Sequence, residues 1–342
     1  MSQHEVNIVE IRNVEQHPDA DRLDIVHIDG WNCIVRKGEF ALGDRAIYVE
    51  PDYLVPVDNP AFAFLANEKL YDGKARIKVR KLRGFYSQGL LIPVPGHLAH
   101  FPVGSNVLDH LGIERYVPRP SRLDDPNRPI YRGFHCTPPK IVSPVYDLES
   151  LQRYFQVFEP GEPVIVTEKM HGTGFRAVYT KNRDGQDEMF VGSRRNWMKQ
   201  EGEDVYWRAA NCYPGIFDLC REHRDTIFFG EVFGWVQDLR YGANPGEIFL
   251  ALFSAFNGQW LSIYDDHRAT IPGKYGVKIV PILADIPFDL EKVRELAEGD
   301  STWWGADCIR EGVVITPVVE RTHPKIGRVA LKAVSNAYLG RG

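Results

Sequence analysis

The sequence has no apolar run of 18 or more residues, which excludes a membrane-spanning helix. Its first residues, Met1 to Glu10, lack the basic-then-apolar pattern of a secretory signal. Cysteine is scarce. Cys33, Cys136, Cys212, Cys220 and Cys308 are widely spaced with no C-x-x-C pair, which fits reduced thiols better than a disulfide framework or a zinc site. Positive charge is not in excess either. A net charge of -5 argues against a protein that simply coats nucleic acid. No internal repeat is visible. These absences leave a soluble cytoplasmic protein, and 342 residues suffice for two domains with separate cores.

Local charge departs from the average. Six of the ten residues from Lys74 to Arg83 are basic. Lys74, Arg76, Lys78 and Arg80 alternate with Ala75, Ile77 and Val79, a strand period that puts four cations on one face. Such a row suits a phosphate backbone. An edge strand guarded by basic residues is the alternative.

Residues 1–116 contain short β runs broken by Gly, Pro and Asp. Asp29-Gly30 joins Ile25–Ile28 to Trp31–Val35, a two-residue hairpin signal. Further runs at Ala46–Glu50, Ile77–Leu82 and Gly89–Val94 complete a small all-β barrel. Residues 117–140 are rich in Pro and Arg and read as a linker. From 141 to 342 strands alternate with few helices. Strands are expected at Val164–Thr167, Phe175–Tyr179, Thr226–Gly230, Ile248–Phe256, Val277–Leu283, Ile309–Ile315 and Val329–Val334. Helices are expected over Asp204–His223, broken at Pro214, and Asp289–Glu298. The class is α+β: antiparallel sheets with flanking helices.

The segment Val164-Ile165-Val166-Thr167-Glu168-Lys169-Met170-His171-Gly172-Thr173-Gly174 carries the chemistry. A β run ends in one lysine, and glycines follow where a phosphorylated ligand would approach the backbone. The Lys169 amine attacks phosphorus once it has lost a proton, which requires a fall from the ordinary pKa of about 10.4. A tight hairpin with an exposed lysine is the alternative. Glu231 and Glu311 lie in or beside β runs, and oxygen ligands of this kind suit Mg²⁺. Lys332 stands in an apolar strand, where a phosphate partner would relieve its burial.

Lys169-Met170-His171-Gly172-Thr173 resembles the K-x-D-G motif of covalent nucleotidyltransferases, in the K-x-H-G-T form of phage nick-sealing and RNA-editing ligases. Ser193–Trp197 resembles that superfamily's arginine motif and Phe229–Gly234 its third motif. Leu252–Phe256 is similar to its adenine-stacking strand, Glu311–Val314 to its fourth motif and Leu331–Ser335 to its fifth. His17–Leu23 resembles the opening of tRNA-binding OB domains. An OB domain before the transferase domain is the arrangement of the Naegleria- and Deinococcus-type RNA ligases, and seven residues follow Ser335. The resemblance implies an OB-fold nucleic-acid-binding domain over 1–116 and a nucleotidyltransferase domain over 141–342. It implies an ATP-dependent RNA ligase acting through lysyl-AMP and an adenylylated strand, with a DNA ligase, a capping-type guanylyltransferase or a non-catalytic RNA-binding protein as rivals.

Lys169 would be the nucleophile. Glu168, Gly172, Arg195, Glu231, Phe253 and Lys332 would bind ATP, with Phe253 stacking on adenine and Glu231 on the ribose. Glu231 and Glu311 would hold Mg²⁺ or Mn²⁺. Lys74, Arg76, Lys78, Arg80 and Arg194 would meet nicked or broken RNA, as an RNA/RNA or RNA/DNA duplex, and the protein would act as a monomer. Three departures stand out: His171 in place of aspartate, Ala330 where a lysine often stands, and Ser143-Pro144-Val145 where a lysine often follows the serine.

Overall fold

A computed structural model describes residues 5–116, 135–201, 204–264 and 270–341. Most of the expected linker, residues 117–134 with its four arginines, lies outside them. The chain forms two compact units: Met1–Arg119 with Leu151–Phe155 and Asn336–Gly342, and Pro120–Ser150 with Gln156–Ser335.

The first unit is built from short antiparallel strands. Leu23–Ile28 and Trp31–Arg36 pair as the expected hairpin, with Asp29 at φ 47° in the turn. The strand Arg45–Val49 lies between Asn7–Glu10 and Leu90–Pro93. It is buried on both faces. Ile47 and Val49 enter a core with Ile8, Tyr53 and Phe62, whereas Ala46 and Tyr48 enter a second core with Ile11, Val26 and Trp31. Alternation along one strand therefore serves two cores, and its sequence reads as continuously apolar.

The basic segment is not one strand. Lys74–Arg76 pairs with Tyr53–Pro56, and Val79–Leu82 pairs with Phe85–Gln88 in a separate sheet. Alternation persists across the break, with Ala75, Ile77 and Val79 buried.

The second unit carries two sheets. In the five-stranded sheet the order is Glu149–Ser150, Leu331–Val334, Gly312–Pro317, Pro163–Glu168 and Ile282–Pro287. We label the last four in chain order as β1 (Pro163–Glu168), β2 (Ile282–Pro287), β3 (Gly312–Pro317) and β4 (Leu331–Val334). The seven-stranded sheet is centred on Thr173–Lys181, Ile227–Gly234 and Ile248–Phe256, with Asp187–Ser193, Trp197–Met198 and Trp260–Leu261 beyond them. Lys278–Ile279 pairs parallel to Ile248–Phe256.

The expected strand Val277–Leu283 is thus two strands in two sheets. Pro281 separates them, and a proline lacks the N–H that would continue a ladder. Asp187–Ser193 was not expected to be a strand; its first half is exposed and polar, so it has little apolar pattern. The helices fall as expected. Val205–Cys212 is capped by Asp204, whose carboxylate accepts from Tyr206 N at 2.8 Å and Trp207 N at 3.1 Å. Gly215–Glu222 follows Pro214, and Leu290–Ala297 begins at an Asp289 cap.

Candidate active site

Residues 169–172 are a crossing between sheets rather than a hairpin: β1 ends in the five-stranded sheet and Thr173–Lys181 begins in the other. Lys169 N–H donates to Gly312 O at 2.9 Å, which pins the start of the crossing to β3. At its end Gly172 abuts the neighbouring strand so closely that a Cβ would stand 2.1 Å from Val232 O. Only glycine permits that approach. His171 N–H donates to Tyr241 Oη at 2.7 Å, and its Nε2 lies 2.6 Å from Asp238 Oδ1.

The charged groups are coupled. Lys169 Nζ donates to Glu311 Oε1 at 2.6 Å, and both side chains are largely buried. Among the described residues the buried Glu311 Oε2 has no hydrogen-bond partner; His171 Nδ1 lies 3.4 Å away. Burial raises the Glu311 carboxyl, but the Lys169 ammonium and His171 outweigh it and bring it down to about 2. Glu231 moves the other way. Burial pushes it up to about 8; Lys169 opposes the shift and the Glu311 charge adds to it. Two carboxylates near one amine are therefore shifted in opposite directions, Glu311 toward the anion and Glu231 toward the neutral acid.

The crossing borders a cleft of about 500 Å³ within the second unit. Lys169, Gly172, Arg194, Arg195, Glu231, Phe253 and Lys332 line it together, as does Glu168. The Glu168 carboxylate is engaged elsewhere: Oε1 accepts from Ser301 Oγ at 2.5 Å, and Oε2 from Thr302 N at 2.8 Å and Thr302 Oγ1 at 2.9 Å. Phe253 owes its position to a bulge. Phe229 pairs with Ser254 and Gly230 with Leu252, leaving Phe253 as the extra residue. A bulge re-aims a side chain, so Phe253 is half-buried at the cleft while Leu252 and Ser254 are fully buried. Lys332 stands opposite Val314 in the β3–β4 register. Arg194 Nη1 reaches Asp147 Oδ1 at 3.5 Å at the exposed rim.

Sequence reasoning missed several participants. Tyr146 lines the cleft with its ring 4.6 Å from Phe253, two residues beyond Pro144. Asp238, Tyr241, Ser301 and Thr302 hold the crossing in place but carry no motif; only tertiary contact reveals them.

Three of the four cations expected to meet RNA in the first unit are ion-paired. Lys74 pairs with Glu114, Arg76 with Asp52 at 2.6 Å, and Arg80 with Glu68 at 2.7 Å. Arg76 also stacks 4.1 Å from the Tyr116 ring. Lys78 is half-buried.

Similarity to known proteins runs along the whole chain. Naegleria gruberi RNA ligase, solved as a point mutant with ATP and Mn, matches with TM-score 0.77 and 27% identity over 98% of each chain. The same enzyme with PPi gives TM-score 0.76, and another point mutant with AMP and Mn gives 0.77. Phenylalanine–tRNA ligase beta subunit of Neisseria gonorrhoeae is 30% identical over 123 residues, 32% of this chain, which spans 14% of that protein's length. An OB-fold domain model matches residues 5–94, so the architecture is an OB-fold domain followed by a sheet-rich nucleotidyltransferase-like domain. The RNA ligase family model matches residues 162–334, half the chain, and with the cleft it spans assigns this protein: it belongs to the RNA ligase family.

Proposed function

We propose that this protein joins 3′-hydroxyl RNA to 5′-phosphate ends at duplex nicks, using ATP, through a lysyl-AMP and an adenylylated strand. The observation that carries the reading is Lys169 lining a cleft together with Glu231, Arg195, Phe253 and Lys332. Lys169 Nζ attacks the ATP α-phosphorus, a P–N bond forms, and the P–O bond to pyrophosphate breaks. The amine attacks with its lone pair, so its 2.6 Å ion pair with Glu311 must loosen and its proton must leave. AMP then passes to the RNA 5′-phosphate, which frees Lys169. A 3′-hydroxyl attacks that activated phosphate and AMP departs, so each step exchanges one phosphorus bond for another.

Phe253 and Tyr146 offer aromatic faces to adenine. Arg195 and Lys332 supply positive charge for phosphate oxygens, Arg195 as a planar fork. Glu231 can hydrogen-bond the ribose hydroxyls. The donor set fits Mg²⁺ or Mn²⁺: among the described residues the buried Glu311 Oε2 has no hydrogen-bond partner, and the Glu231 carboxyl is destabilised as an anion partly by Glu311, a cost that a cation would offset. Glu311, with Glu231 beside it, would hold the ion, which supplies positive charge against the phosphates when bound. Arg194, at the rim beside Asp147, is placed to meet the RNA.

Incubation with α-labelled ATP tests the assignment. The wild type should acquire covalent label, and Lys169→Ala should acquire none while still sealing a pre-adenylylated nick. Undiminished labelling of Lys169→Ala removes the nucleophile. Preference for GTP, or equal sealing when the strand supplying the 3′-hydroxyl is 2′-deoxy (DNA), moves the protein to capping or to DNA joining.

A further inference from the structure

Two loops hold the Lys169–Gly172 crossing. Residues 235–247 supply Asp238 and Tyr241 to His171, and residues 299–307 supply Ser301 and Thr302 to Glu168. The loops are fastened to each other. Gly242 N–H donates to Asp307 Oδ1 at 2.9 Å, and a Cβ on Gly242 would stand 2.0 Å from Gly305 O. Trp303 anchors the second loop, its ring edge-on to Phe233 at 4.8 Å.

The next residue is different. Trp304 is 94% exposed, the highest value among the exposed large apolar side chains of the described residues. On the touching loop Trp235 is 41% exposed, and the Arg240 guanidinium stacks on its ring at 4.2 Å. Among the described residues no carboxylate lies within 4.0 Å of the Arg240 guanidinium; on the same loops Asp238 is engaged by His171, Asp307 by Gly242 and Glu247 by Asn244. A lone exposed apolar side chain is ordinary. Here an indole face, a second indole and an arginine stand on two braced loops whose adjoining residues clamp the nucleophile's segment. Indole faces stack on unpaired or splayed bases of any sequence, and a stacked guanidinium meets phosphate.

We propose that Trp304, with Trp235 and Arg240, is a stacking platform for the RNA bases that flank the junction being sealed. The proposal rests on the RNA-joining reading above and adds where the RNA is gripped. Position supports it: the loops that carry the platform also supply the residues that hold His171 and Glu168, on either side of Lys169.

The test uses the full chain and a fluorescein-labelled nicked RNA duplex whose 5′ end is already adenylylated, so that the Lys169 step is bypassed. Trp304→Ala should raise the Kd and the sealing KM about 5- to 150-fold, the range for loss of one stacked base. Its kcat and its Lys169 labelling from ATP should stay at the wild-type level, and Trp304→Phe should recover most of the affinity. Arg240→Ala should weaken binding and flatten its salt dependence. Binding by Trp304→Ala within twofold of the wild type overturns the platform, including a result in which the variant changes only the oligomeric state, which would mark a protein interface. Loss of Lys169 labelling in Trp304→Ala also overturns it, because the loop would then be only a brace. A wild type that labels Lys169 yet seals no RNA defeats the RNA-joining reading itself, and the platform with it.

Discussion

At the scale of single residues the site is an electrostatic arrangement around one amine. Glu311 and Glu231 are chemically alike, but Lys169 and His171 stabilise the first as an anion while burial favours the second as a neutral acid. This has a measurable consequence in the ligand-free, metal-free protein. The folded Glu231 carboxyl lies at about 8 against an unfolded value of 4.5. Its stability contribution is therefore complete below pH 4.5 and is lost as pH rises through 8. Glu311 acts in the opposite sense, but its contribution is lost only as pH falls from 4.5 toward 2, outside that window. Thermal melts between pH 5 and pH 9 should show the wild type losing Tm with rising pH and Glu231→Gln losing less. Parallel curves for the two proteins would place the Glu231 carboxyl in water. The His171 departure is also resolved at this scale: where the superfamily commonly has a carboxylate, this chain has an imidazole held between Asp238 and Glu311.

At the scale of elements, the decisive features are the crossing and the bulge. The segment after Lys169 leaves one sheet and enters another, so the lysine faces a cleft between sheets instead of solvent. Gly172 makes this possible by lying against Val232 O, the residue after Glu231. Gly172→Ala should therefore shift the strand that carries Glu231. A loss of about 1–3 kcal/mol is expected from such overpacking, read as a lower urea midpoint, together with reduced Lys169 labelling. A variant with wild-type midpoint and labelling would mean the strand moves aside freely. The bulge at Phe253 has no sequence mark, since Ile248–Phe256 is apolar throughout apart from Ser254 and contains no Gly or Pro.

At the scale of the whole molecule, the first unit should serve RNA binding and the second the nucleotide chemistry. Ion pairing ranks its cations. Lys74 and Arg76 are partly buried beside carboxylates, whereas the Arg80–Glu68 pair is exposed on both sides and worth at most about 1 kcal/mol, so Arg80 can exchange its partner for phosphate. Lys78→Ala with Arg80→Ala should weaken nick binding, lower the salt slope by roughly one unit per lost phosphate contact, and spare Lys169 labelling. Unchanged sealing at ~0.15 M salt, where exposed charges are already screened, would reduce the row to edge protection.

The sequence by itself determined the α+β class, the all-β first part, the hairpin at Asp29-Gly30 and which lysine is the candidate. Each of these follows from short-range facts: period-2 alternation, turn chemistry and the order of motifs along the chain. Tertiary structure alone decided what those residues meet. Only the fold splits the basic segment between two sheets, turns the Glu168 carboxylate to Ser301 and Thr302, and brings Asp238 to His171. Burial and charge proximity depend on neighbours remote in sequence, so the opposite pKa shifts of Glu231 and Glu311 are a property of the packed site and not of either motif.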